Sequence, residues 1–173
     1  MKAHGITTIS KKTFTIDIFD ERSLADAINK FVNAKKDINE AAAEAIEILC
    51  AEGAEYAKFQ APYDTGELRD SITYKVEKEG NKVEGAIIAG TEHAFFVEFG
   101  TGIVGASNPH PYNYQGWEYD INNHGIEGWN YPKNGRYYQT LGQPSNPFMY
   151  RTAKYLSENA DRILNEGIHS GDF

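Results

Sequence analysis

Gly100, Gly102 and Gly105 in the run GTGIVG have the spacing of a dinucleotide-binding fingerprint, and Asp120 lies about where an acid would hold a ribose hydroxyl. That chemistry needs a helix opening directly after the glycines, so that its free amides can hold a pyrophosphate. Asn108-Pro109-His110-Pro111 forbids one. Proline lacks the amide hydrogen and keeps the residue before it out of the α region, so a turn and a flexible exit are expected instead. His93, His110 and His124 lack metal-ligand spacing, and there is no HExxH or CxxC pair. No serine sits in a GxSxG context. Glu92, His93 and Glu98 can be drawn as an acid–base cluster, but isolated His and Glu around an apolar knot are usually structural or solvated. Cys50, mid-helix beside Leu49 and Ala51, has the setting of a buried structural thiol rather than a nucleophile. These residues therefore give no positive support to catalysis, and no metal or cofactor is expected.

Composition narrows the field further. The chain of 173 residues is read as one domain with its own core, 40% hydrophobic and 24% charged. No apolar run approaches the roughly 18 residues of a membrane span, so no membrane partner is expected. The first twelve residues lack the apolar core of a signal peptide and are read as flexible. The single cysteine gives no sign of a disulfide-built fold. Seventeen Lys and Arg against 25 Asp and Glu leave a formal charge of −8, which argues against tight binding along a nucleic-acid backbone.

The elements expected to position these residues form an α+β fold. Thr13 to Phe19 alternates as a half-buried strand. Ser23 caps a helix, and Asp37 with Glu40 repeats a start signal, so a long N-terminal helix is expected to be kinked or broken near 34–37. Its second part runs from about Ile38 to Phe59, with a buried stripe of Ile38, Ala42, Ala45, Ile46, Leu49, Gly53, Tyr56 and Ala57 and an acidic opposite face. Close approach of another backbone is expected at Gly53. Pro62 stops that helix near Phe59 to Ala61. Asp64 and Glu67 have capping-box spacing, and Gly66 lets the new turn sit close to its neighbour. Asp64, Glu67, Arg69 and Asp70 read as a partly self-neutralising surface cluster. An antiparallel hairpin follows, Ile72 to Glu77 and Val83 to Ala89, with Ile72, Tyr74 and Val76 inward. Thr91 to Phe99 fits a short helix and a strand equally.

Residues 102–147 hold both tryptophans and six tyrosines, and an excursion of that length is usually functional or disordered. Asn134-Gly135, between Trp129–Tyr131 and Arg136–Tyr138, predicts a small β-ribbon. Two readings of these rings stay open: they cover the domain's own core, or they form an interface. The last helix opens at Asn146-Pro147, buries Met149, Thr152, Ala153, Leu156, Ala160, Ile163 and Leu164, and is expected to stop at Gly167. Both helices are expected to pack on a small, mainly antiparallel sheet.

Three ordered islands say more: APYDTGELRDSI at 61–72, HAFFVEFGTG at 93–102 and GQPSNPFMYRTA at 142–153. Together they resemble the tail-completion or head-to-tail joining family of tailed phages, the gene-product-ten-like minor structural proteins of the Hong Kong ninety-seven phage type. Pro62, Asp64, Thr65, Gly66, Leu68, Arg69, Ser71 and Ile72 fit the first island of that pattern. Val97, Glu98, Phe99, Gly100 and Thr101 fit the second, and Pro147, Phe148 and Met149 the third, with Ala153 one position late and His93 where a Tyr commonly stands. The resemblance spans roughly residues 23–165. It implies a non-enzymatic subunit of the virion, assembled in the host cytoplasm and acting at the head–tail junction as a ring, commonly of six. The implied partners are further copies of the chain, the phage connector and tail proteins, with DNA passing through the ring without specific binding. Tail termination and head closure are the nearer alternatives, and a small prophage-encoded hydrolase or regulator the more distant one. On this reading the family-pattern residues, together with Trp117, Trp129 and Tyr131 of the excursion, are structural or subunit-contact groups rather than catalysts.

Overall fold

In the computed structural model, residues 9–10, 13–14, 25–26, 28–29, 38–80, 82–114, 116–120 and 122–170 are described. The chain gathers into two compact units: residues 1–91 with 149–173, and residues 92–148. The expected break near 34–37 and the strand beyond Phe14 lie outside the described residues. Ala25, Asp26, Ile28 and Asn29 are helical, as the Ser23 start signal predicts.

The first unit is built on helix α1 (Ile38–Gln60), which ends just before the Ala61-Pro62 step that forbids its continuation. Strands β1 (Ile9–Ser10) and β2 (Thr13–Phe14) form a short antiparallel pair within the segment read as flexible and its border. Strands β3 (Ile72–Glu79) and β4 (Lys82–Ala89) are the predicted hairpin, and the four strands make one antiparallel sheet in the order β1-β2-β4-β3. Ile72, Tyr74 and Val76 stand opposite Ala89, Ile87 and Gly85, so these six share one face. Helix α1 covers that face. Gly85 is small because a Cβ there would meet Cys50 Sγ and lie 2.6 Å from Ile46 Cγ2. Tyr74 is on this face but keeps 40% exposure.

The buried stripe of α1 is turned from the expected one. Ala41, Ala45, Leu49, Cys50, Ala54 and Ala57 are buried, whereas Ala42 and Ile46 are only half-buried. A run of alanines offers several equivalent faces, and the helix uses two of them at once. One receives the sheet, and the other packs Ala41, Ala45 and Leu49 against Leu156, Ala160, Ile163 and Leu164 of the last helix. At Gly53 the two faces meet: a Cβ there would strike Ile87 Cδ1 and stand 2.7 Å from Leu156 Cδ1. The close neighbours of Gly53 are thus side chains, not another backbone. Burial lifts the Cys50 thiol pKa to about 11, with the Glu47 charge adding to the effect, as befits a structural thiol.

Between α1 and β3 lies helix α2 (Glu67–Asp70), a single turn. Gly66, with φ of 92°, is at its N-cap in place of Asp64, and the Glu67 amide donates to Thr65 Oγ1 at 3.3 Å. The capping-box expectation therefore fails: the left-handed glycine sets the helix start two residues later than Asp64 requires.

The second unit opens with helices α3 (Ala94–Phe99) and α4 (Gly102–Ser107) and a 3-10 turn at Gly125–Glu127. Helix α3 settles the helix-or-strand ambiguity. Helix α4 replaces the expected flexible exit: it opens within the glycine run and ends at Ser107, before Pro109. Strands β5 (Trp129–Lys133) and β6 (Arg136–Thr140) are the predicted ribbon. Asn134 and Gly135 both take positive φ, 53° and 72°, the type I′ geometry that Asn-Gly favours. β7 (Gly142–Gln143) follows, and helix α5 (Phe148–Ser170) runs on to the end of the described chain. All seven residues expected on its inner face are buried. Gly167 does not stop it. A Cβ there would come within 2.9 Å of Ile48 Cδ1, so this glycine serves packing inside the helix.

Leu156 fills the space between α1 and α5 at 1% exposure, whereas the Phe59 ring is 77% exposed. Leu156→Ala should lower the urea-unfolding free energy by about 2–5 kcal/mol, and Phe59→Ala by no more than about 0.5 kcal/mol. Equal losses would contradict this assignment of the core.

Candidate functional site

The polar residues of the first island are tied into hydrogen bonds that hold the chain's reversal after α1. Arg69 Nε donates to the Ala61 carbonyl at 2.9 Å, and its guanidinium stands 5.3 Å from the centre of the Tyr63 ring. It secures the end of α1, beyond the self-neutralising surface role expected of it. Ser71 Oγ donates to the Leu68 carbonyl at 2.7 Å and accepts from the Gly90 amide at 3.2 Å, linking the turn to the end of β4. Leu68 and Ile72 point into the core. Around this knot Phe59 and Tyr63 stay largely exposed, at 77% and 70%. Glu55, Lys58, Phe59, Arg69 and Asp70 line an open groove of about 520 Å³.

In the second unit the structure brings the second and third islands together. Asn146 N–H donates to the Val97 carbonyl at 2.8 Å, and Ser145 Oγ to the Glu98 carbonyl at 2.6 Å. The Gln143 amide donates to Thr101 Oγ1 at 3.3 Å, and Val104 N–H to the Leu141 carbonyl at 3.2 Å. Thr101 pairs with Gln143 and Gly102 with Gly142 as isolated antiparallel bridges. This clasp explains the glycine run. A Cβ on Gly100 would lie 2.6 Å from Ser145 N, one on Gly102 would strike the Leu141 carbonyl oxygen, and one on Gly105 would be 3.1 Å from the Gln143 oxygen. The spacing that imitates a cofactor loop is set by the passage of 141–145 across it. Asp120, the imagined ribose acid, instead accepts from the His124 and Gly125 amides at 2.8 and 2.6 Å. Those two amides hold its carboxyl below the usual range.

The acid–base cluster drawn from sequence is not assembled as expected. Glu98 is buried and bonded to His110, not His93: Oε1 to Nε2 is 3.0 Å, with both side chains almost fully enclosed. The Tyr112 amide lies 3.0 Å from His110 Nδ1. The Tyr112 carbonyl oxygen lies at the same 3.0 Å, so Nδ1 is held by the polar backbone of Tyr112 while Nε2 faces Glu98. Both ring nitrogens are thereby used within the fold, and neither is presented to a substrate. Glu92 and His93 are exposed. Sequence gave no hint of the Glu98–His110 pair, because its partners are twelve residues apart across a proline turn.

The aromatic excursion divides. Trp117 packs on Phe95, Phe96 and Phe99 with ring centres 5.1 to 5.9 Å apart, and Phe99 also meets His110 and Tyr114. Its indole Nε1 is buried and unpaired among the described residues. Beside it a recess of about 320 Å³ is lined by Phe99, the stretch from Pro109 to Tyr114, Trp117 and Tyr119. The ribbon differs. Tyr131 and Tyr138 face each other across the strands, 6.0 Å apart, and with Tyr137 remain exposed, while the Trp129 ring meets His124 at 4.8 Å with the planes tilted by 32°. Of the two readings of these rings, internal cover describes residues 95–119, and exposed surface describes the ribbon.

Arg69, Ser71, Thr101 and Ser145 thus bond the chain's own backbone, while Phe59, Tyr63 and the ribbon tyrosines stay exposed. Residues 22–100 match the family described as "HK97-gp10-like: Bacteriophage HK97-gp10, putative tail-component", and over that segment the chain is similar to this family of phage tail components. It is the family the three islands resemble. The match holds the first island whole and the second as far as Gly100. The third lies outside it, yet the clasp bonds it to the second. No curated protein and no solved structure matches the chain. Among the described residues no group of three or more His, Cys, Asp or Glu is placed to hold a metal ion, and no helix is long and apolar enough to cross a membrane.

Gly142 and Gly135 separate the clasp from ordinary glycine strain. Both have positive φ, 102° and 72°, but a Cβ on Gly142 would strike the Thr101 carbonyl oxygen, whereas nothing lies within 4 Å of one on Gly135. Gly135→Ala should cost about 1 kcal/mol, and Gly142→Ala clearly more, about 3 kcal/mol or beyond. Near-equal melting shifts in the two variants would contradict the clasp.

Proposed function

We propose that this chain is a non-enzymatic structural subunit of a tailed phage or prophage that acts at the head–tail junction. It completes the tail and joins it to the head as an oligomeric ring, six being the expected count. The observation that carries the reading is the family match over residues 22–100. The way the motif residues are spent supports it. Arg69, Ser71, Glu98, Thr101 and Ser145 all serve the chain's own backbone or core, which is what a building block requires. Its partners are then copies of itself, the connector and the tail proteins, and its place is the virion. The net charge of −8 suits a ring through which DNA passes without being held, since like charges repel along the path.

Particles made without this chain test the reading by electron microscopy. The expected result is separated full heads and finished tails of normal length. Overlong tails would assign the chain to termination, heads that leak their DNA would assign it to head closure, and either result would overturn the joining role. Normal infectious particles would overturn the junction reading altogether.

A further inference from the structure

The ribbon β5–β6 is a two-stranded hairpin with five-residue strands, and every position in it except Trp129 and Thr140 is exposed. Such a hairpin is only marginally stable in water by itself, and this one shows three tyrosines to solvent, Tyr137 at 78%. Its charge is equally one-sided. In a chain of net −8, residues 128–147 contain Lys133 and Arg136 and no Asp or Glu. Tyrosine with arginine, poor in acids, is the composition of binding hot spots.

The same chain carries a surface of complementary character. Residues 47–70 hold six acids against Lys58 and Arg69, and Lys58 is paired with Glu55 at 2.7 Å while Arg69 bonds the Ala61 carbonyl. With Glu55 held by Lys58, the acids Asp64, Glu67 and Asp70 are exposed around the two bare rings of Phe59 and Tyr63. The open groove there is lined by Glu55, Lys58, Phe59, Arg69 and Asp70.

We infer that the β5–β6 ribbon of one copy docks on the Phe59–Tyr63 groove of the next copy, its tyrosines on the two exposed rings and Lys133 and Arg136 against the acidic rim. The inference rests on the assembly reading above and names its contact. Opposite charge gives the contact its register and its rate of formation. Because the two patches differ, the contact is heterologous, running head to tail, and such contacts generate rings when the rotation closes.

Sedimentation velocity of the full-length chain over a range of concentration tests it, with two double variants. One reverses the ribbon, Lys133→Glu with Arg136→Glu, and the other reverses the groove, Glu67→Lys with Asp70→Lys. All four positions are exposed, and unchanged thermal unfolding confirms that each variant folds. Wild type should self-associate, and each variant alone should associate at least tenfold more weakly. An equimolar mixture of the two should recover association, since each ribbon then meets a groove of opposite sign. Association undiminished in either variant, or no recovery in the mixture, overturns this contact and leaves the assembly reading standing. A wild-type chain that oligomerises only when duplex DNA is added assigns the basic ribbon to DNA and overturns it also. A wild type monomeric under all conditions, with normal particles formed in its absence, removes both.

Discussion

The second unit depends on one close approach: the backbone at 141–145 passing over the backbone at 100–105. Two peptide chains can come this near only where no Cβ intervenes. Gly100, Gly102, Gly105 and Gly142 remove it at four positions around the crossing. The approach brings the two ends of the 102–147 excursion together, with backbone bonds joined by those of the Thr101 and Ser145 hydroxyls. Beside it, the buried Glu98 is bonded to His110, so the segment following α4 is fixed to α3 as well. A buried carboxylate is tolerable only with such a partner. With both ends and the first turn anchored, the distal ribbon can project without dissolving the unit that carries it.

The first unit solves a similar problem in another way. Its long helix has to end abruptly and hand the chain to a sheet, and Pro62 ends it without supplying a partner for the last carbonyls. Arg69 reaches back across eight residues to the Ala61 carbonyl, and Ser71 bonds forward to Gly90. Charged and hydroxyl side chains are thus consumed in shaping a backbone turn. The surface that remains shows bare aromatic rings with acids around them in one unit and tyrosines with two bases in the other.

Much of this was legible in the sequence wherever the cause is local. The Asn-Gly turn, the β3–β4 hairpin, the inner face of α5 and the end of α1 each follow from residues within one element, and the structure has them. Apart from the Asp64 capping box, displaced by the left-handed Gly66 beside it, the errors have a common source in distance along the chain. Gly167 has the look of a helix stop, but Ile48, more than a hundred residues earlier, is what needs it small. The stripe of α1 was misplaced because alanine at 41, 42, 43 and 45 marks no single face, and the choice is made by β4 and α5. The glycines at 100, 102 and 105 suggest a phosphate loop until the strand crossing them is known. The Glu98–His110 bond was invisible for the same reason, whereas the three islands drew attention to the right stretches before any partner could be named.

The claim that the clasp holds the second unit is tested most directly by native-state hydrogen exchange. The amides of Gly102, Val104, Ser145 and Asn146, which donate across or beside the crossing, should exchange slowly and together, with one common opening free energy. The amides at the ribbon tip, around Gly135, should exchange far faster. If Val104 and Asn146 exchanged as fast as the tip, or at unrelated rates, the clasp would not be the constraint that organises this unit.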